Sequence, residues 1–191
     1  MSMPGLAYFE PAYADELAAI MTWGFRHMQA DDGGSVYLRL STRTIAQPDR
    51  TLSAPDRERV TSGAYWLAPP APGAELAIVY AGAVAPEAIS AHRQLLEDIP
   101  GAGLLAVASP DRLHSDWLSA KSRRRAGDRQ ARGRVEEMLA ELAPDAVLIT
   151  VIDGHPTALS WLGAVGTQKV TALGVDQFGQ SAALDDVYAA V

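Results

Sequence analysis

Asp153 and His155 stand two residues apart across Gly154, directly after the apolar run Val147-Leu148-Ile149-Thr150-Val151-Ile152. A carboxylate beside an imidazole can orient the ring, and the ring can carry protons. The simpler chemistry for the same pair is capping. In Asp153-Gly154-His155-Pro156 either side chain can accept from free N–H groups at a helix start, with Gly154 supplying the turn. A helix-like segment, Thr157 to Ala164, follows, then a second apolar run, Val170 to Val175, and a second polar corner, Asp176-Gln177-Phe178-Gly179-Gln180-Ser181. Strand, polar corner, helix and strand is the order of a parallel sheet with crossover helices, which places ligands and partners at the carboxyl ends of its strands.

Other reactive side chains are scattered. His114 and Asp116 fall at the start of a helix after Ser109, where capping is the simpler role, and His27 and His92 fall beside or on apolar helix faces. No two histidines have the i, i+4 spacing of a helical zinc site, and the chain has no cysteine. Gly101-Ala102-Gly103 precedes a strand, the wrong order for cradling a phosphate, and no Gly-x-Ser-x-Gly elbow is present. Gly82-Ala83-Val84-Ala85-Pro86 does follow a strand and open a helix, with one glycine where a dinucleotide fold needs three. Lys121, Arg123, Arg124, Arg125, Arg129, Arg132 and Arg134 form a basic cluster opposed by Asp128. It reads as a solvated, mobile loop or as a docking point for an acidic partner or a phosphorylated ligand.

The elements that position these residues are legible from periodicity. Leu17, Ile20, Met21, Gly24, Phe25 and Met28 mark the apolar face of a helix that starts just after Pro11, and Ser35 to Leu40 alternates as a strand. From Ser41 to Ser62 periodicity vanishes, which predicts an exposed connector between two folding units. Beyond it come strands at Ala64–Ala68, Leu76–Tyr80, Leu104–Val107, Val147–Ile152 and Val170–Val175. Helices are predicted after Pro86, after Ser109 and around Val135 to Leu142. Five strands alternating with helices predict a three-layer α/β domain. The first forty residues hold one helix and one strand, too little to bury both faces of a sheet, so they read as the end of a larger domain.

Composition sets the outer bounds. A chain of 191 residues with 48% hydrophobic and 20% charged residues is of globular type, and a net charge of −7 argues against nucleic-acid binding. With no apolar stretch of 18 residues and no leader pattern at the N-terminus, the expectation is a cytoplasmic protein.

Taken in order, several segments resemble the C-terminal part of thiamine-diphosphate enzymes of the transketolase group, most of all the homodimeric pyruvate dehydrogenase component of 2-oxoacid dehydrogenase complexes. The resemblance rests on Tyr13-Ala14-Asp15-Glu16-Leu17-Ala18 with Gly24-Phe25-Arg26-His27-Met28, then on Ser35 to Thr42, Ser62 to Tyr65 and Ala77 to Glu87. It continues through Ser109 to Trp117, Asp153 to Gly163 and Leu173 to Ser181. It implies that residues 1–42 end a pyrimidine-binding domain, 43–62 connect, and 63–191 form a C-terminal domain. That domain has a five-stranded, mostly parallel sheet with helices on both faces and one antiparallel strand, Ala64 to Ala68. It implies an oxidoreductase that decarboxylates a 2-oxo acid and passes the acyl group to a lipoyl carrier; ketol transfer between sugar phosphates, or a free-standing binding module, are the alternatives. Thiamine diphosphate and Mg²⁺ would be bound by parts outside this chain, a homodimer and an acyltransferase core would be the partners, and no catalytic residue is carried over. Asp153, His155, Gln177 and Phe178, at strand ends, are the residues expected to shape the pocket or interface.

Overall fold

The computed structural model describes residues 3–176 and Asp186. Seven strands and six helices alternate along it: β1 (Leu6–Phe9), α1 (Ala14–His27), β2 (Ser35–Leu38), α2 (Ala54–Ser62), β3 (Ala64–Ala68), β4 (Ala74–Ala81), α3 (Ala85–Asp98), β5 (Gly103–Val107), α4 (Pro110–Arg125), α5 (Arg134–Leu139), β6 (Leu142–Ile152), α6 (Thr157–Ser160) and β7 (Lys169–Leu173). No helix among the described residues is long and apolar enough to cross a membrane.

The main sheet has the order β3-β5-β4-β6-β7. Its strands β5, β4, β6 and β7 run parallel, and β3 pairs antiparallel with β5. Strand β4 is at the centre and explains the architecture. Alternate residues of a strand point to opposite faces, and both sets here are buried: Ala77, Val79 and Ala81 enter one core, Leu76, Ile78 and Tyr80 the other. A strand wet on one side would alternate with polar residues; this one must be covered twice. Leu113, Trp117, Val135 and Leu139 of α4 and α5, with Leu159 and Leu162, cover the first face. The second face meets Ala85 and Ala88 of α3 together with Phe9, Ile20 and Val60 from the opening segment. Full burial of Phe9 and Ile20 contributes about 1.5–3 kcal/mol each.

Helix boundaries follow local chemistry. Ser109 caps α4 by accepting from Arg112 N–H (3.4 Å), with Pro110 in the first turn. Ser53 caps α2 by accepting from Asp56 N–H (3.3 Å), and α2 stops at Gly63, whose φ of +119° excludes other residues without strain.

The opening segment departs from the expectation in three ways. A strand, β1, precedes α1 and pairs parallel with β2, Leu6 to Ser35 through Phe9 to Leu38, so the unit has two strands around its helix. The connector contains α2, which packs on α1. The apolar face of α1 is also turned: Glu16, Ala19, Ile20 and Gly24 are buried, whereas Met21, Phe25 and Met28 are exposed. Gly24 seats α1 on β2, where a Cβ would lie 3.4 Å from Val36. The outer edge of β1 is closed by the β5–α4 junction, since Glu10 N–H donates to Ala108 O (2.8 Å) and Tyr8 N–H to Asp111 Oδ2 (3.1 Å). Among the described residues, nothing pairs with the outer edge of β2.

Candidate functional site

The carboxyl ends of β1, β2, β4 and β6 converge. Glu10, the residue after β1, is 2% exposed and accepts hydrogen bonds from the Tyr8 hydroxyl and from Arg39, the residue after β2. Arg39 also faces Asp153, the residue after β6, with Nη2 3.5 Å from Oδ2. Gly82, which ends β4, touches the Glu10 side chain. One guanidinium thus bridges a buried carboxylate from one sheet to an exposed one from the other. Burial, then the Glu10 hydrogen bond and charge, pushes the Tyr8 phenol up, so Tyr8 stays a proton donor to Glu10. Two acids around one arginine leave these strand ends net negative, a field that favours donors and cations over phosphates.

A second network lies one helix turn away. Glu16, in the first turn of α1, accepts from Ala12 N–H (2.7 Å), Tyr13 N–H (3.1 Å) and the Tyr65 hydroxyl of β3. Arg50 of the connector donates to Asp15 (2.7 Å) and to the Tyr65 hydroxyl oxygen (3.0 Å), lies 3.6 Å from Glu16, and stands over the rings of Tyr13 and Tyr65. Burial raises the Glu16 carboxyl above the usual carboxylate range, against the pull of its three donors and Arg50. Burial and the Glu16 charge likewise raise the Tyr65 phenol, which stays protonated and donates. The network ties α1, the connector and the main sheet together; all its groups are engaged, so it acts as an anchor.

The first polar corner meets the chain just after β7, where Val175 N–H donates to Gly154 O (2.8 Å); of the second corner only Asp176 is among the described residues. Asp153 faces Arg39, not His155. His155 Nδ1 accepts from Thr157 N–H (3.3 Å) and lies 2.7 Å from the Thr157 hydroxyl, a local turn contact one residue ahead of Pro156, the N-cap of α6. His155→Ala is therefore expected to cost about 0.5–1 kcal/mol, read as a lower urea midpoint at unchanged slope; an unchanged midpoint would mean that the turn contact contributes nothing. Gln177 and Phe178 lie outside the described residues. His92 is buried on the Ala102 carbonyl (2.8 Å), and His27 stacks on Trp23. His114 sits between Trp117 and Trp161, where burial lowers its pKa. Asp116 caps α5, accepting from Arg134 N–H (2.6 Å).

Sequence reasoning missed Glu10, Glu16, Arg39, Arg50 and Tyr65. One local signal existed: Glu16 stands three residues after Tyr13, at the position from which a carboxylate reaches back to the N-cap N–H. The other partners are remote in sequence and carry no local mark.

No protein-family model matches the chain, and no curated protein matches its sequence. Its backbone is similar to that of solved transketolases. A Pichia stipitis transketolase in complex with sedoheptulose 7-phosphate superposes at a TM-score of 0.66 with 17% identity, over 99% of this chain and 23% of that one. The Leishmania mexicana enzyme gives 0.64 and 19%, over 98% and 23%. A split-gene transketolase in its inactive β4 tetramer gives 0.57 and 20%, over 97% and 53%. The chain thus spans about a quarter of the first two and about half of the third. The five-stranded mixed sheet with helices on both faces matches the fold of the transketolase C-terminal domain.

Proposed function

We propose that this chain is the C-terminal region of a thiamine-diphosphate-dependent enzyme of the transketolase group, in which it shapes the approach to the active site and supports a homodimer. The observation that carries the reading is the pair β1–β2. A two-stranded parallel sheet does not stand alone, and among the described residues its β2 edge is bare while Met21, Phe25 and Met28 of α1 are exposed. Residues 1–42 are on this reading the end of the pyrimidine-binding domain and 63–191 the C-terminal domain, joined by 43–62. Asp153, which faces Arg39, and His155, two residues on, belong on this reading to the seam between them.

The residues at these strand ends do not fit a diphosphate–Mg²⁺ cradle. The loop at Gly82, the one strand-to-helix glycine turn of suitable order, is filled by the Glu10 carboxylate, and its neighbour Asp153 adds a second negative charge. Among the described residues no three His, Cys, Asp or Glu side chains group as metal ligands. The cofactor belongs on this reading to other parts of the enzyme. Titration of the 191-residue chain with thiamine diphosphate and Mg²⁺ is expected to give no binding heat; micromolar binding would put the cofactor site inside this chain.

Two substrate classes are supported by different observations. The ordered sequence segments favour a 2-oxo acid dehydrogenase, with a lipoyl carrier on an acyltransferase core as partner. The solved neighbours, transketolases, favour ketol transfer between sugar phosphates. The intact enzyme purified through this chain decides: release of CO₂ from pyruvate supports the first, and ketol transfer from a ketose phosphate without CO₂ the second.

A further inference from the structure

Residues 121–134 carry seven cations against Asp128, a net charge of +6 in a chain of −7, which leaves −13 for the remainder. The segment is not the mobile loop that its two glycines predict. Asp128 N–H donates to Arg123 O (3.0 Å) and Ala131 N–H to Asp128 O (3.2 Å), while Gly127 takes the left-handed turn at φ +109°. Arg124 clamps the far side, donating to Ala131 O (2.7 Å) and in bidentate fashion to Glu136 (2.8 and 2.7 Å). Glu136 in turn accepts from Gly133 N–H (2.7 Å). The Glu136 carboxyl is held below the usual range by Arg124 and Gly133, which outweigh its partial burial. Lys121 is turned back over the Trp117 ring (4.3 Å). Arg124 alone of the seven has a carboxylate within ion-pair distance among the described residues. Arg123 and Arg125, in the last turn of α4, and Arg129 and Arg132, on the closed loop that follows, stand exposed. Arg123 donates to Arg132 O (3.4 Å) and the charge of Arg132 acts on Glu136, while the forked donors of exposed guanidinium groups match carboxylates.

We propose that this closed arginine loop docks a short acidic segment of a protein partner. Size decides between polyanions. Screening confines the field of the loop to about 8 Å at physiological salt, so a segment of a few residues meets only the net +6. A nucleic acid or an anionic membrane extends further and meets the −13 as well. This inference does not rest on the proposed enzymatic reading.

The test is fluorescence anisotropy of the 191-residue chain with a fluorescein-labelled hexaglutamate peptide, in low salt and at ~300 mM NaCl. Binding is expected in low salt and is expected to weaken at least about tenfold in high salt, with hexalysine not binding. Arg123→Gln, Arg125→Gln, Arg129→Gln and Arg132→Gln together are expected to weaken it about tenfold or more, and Arg125→Gln with Arg129→Gln about threefold. The double variant removes no contact within the loop, so it decides if the quadruple variant misfolds. Absence of hexaglutamate binding by the wild type, equal affinity for a ~20-residue oligothymidylate, or full binding by the double variant would overturn the proposal.

Discussion

Glu16→Ala is expected to destabilise the chain by about 3–5 kcal/mol, the range for stripping one partner from a buried charged pair. The substitution leaves Ala12 N–H, Tyr13 N–H and the Tyr65 hydroxyl without their acceptor, and Arg50 loses one of the two acids it faces. Each buried donor without a partner costs about 1–3 kcal/mol; relaxation and the remaining Asp15 contact keep the total below a simple sum. Glu16→Gln keeps a carbonyl acceptor and should lose less than half as much. The two variants also separate charge from shape through pH. Burial raises the folded-state carboxyl above its unfolded value, so the folded state holds the proton more tightly. The wild type therefore loses stability, relative to Glu16→Gln, as pH rises through the interval between those two values. Urea unfolding of wild type and both variants across that interval measures both effects. Glu16→Ala within about 1 kcal/mol of wild type would mean that the anchor is ornamental.

Gly82→Ala carries the second large effect, at about 2–4 kcal/mol. Gly82 has φ +66°, which costs an L-residue about 1–2 kcal/mol. Its new Cβ would fall 2.6 Å from both Cγ and Oε1 of Glu10. Something must move, and Glu10 is held by Tyr8 and Arg39, so relief breaks the Glu10–Arg39 contact that positions Arg39 toward Asp153 of the main sheet. Gly73→Ala is the control. Gly73 has φ +73° with open space around it, so it isolates the backbone contribution at about 1–2 kcal/mol. Equal losses at the two glycines, by thermal or urea unfolding, would show that Glu10 yields freely.

The difference between what the sequence displays and what it conceals has a physical origin. The runs at Leu76–Tyr80 and Leu104–Val107 are visible because strands buried on both faces are apolar without interruption, and Val147–Ile152 is visible because only Thr150 interrupts it. Strand β1 escapes notice because four residues after Pro4-Gly5 offer no period to count. Helix α2, with only Val60 and Thr61 buried in nine residues, has almost no apolar face to detect. The stripe of Leu17, Met21, Phe25 and Met28 is real, but a helix buries whichever face its neighbours accept: Gly24 meets Val36 of β2, and Glu16 meets Tyr65 of β3 and Arg50. The polar corner at Asp153 is correctly placed at a strand end. Its partner Arg39 is 114 positions away, a pairing that only the folded topology creates.

The bare rim of β2 has a bearing on concentration. Among the described residues, the backbone donors and acceptors of that edge meet no other strand, and Ser35–Leu38 holds neither lysine nor proline to discourage a foreign one. An edge of this kind is a template on which another chain can add a strand, so the concentration at which the polypeptide begins to self-associate is set at β2.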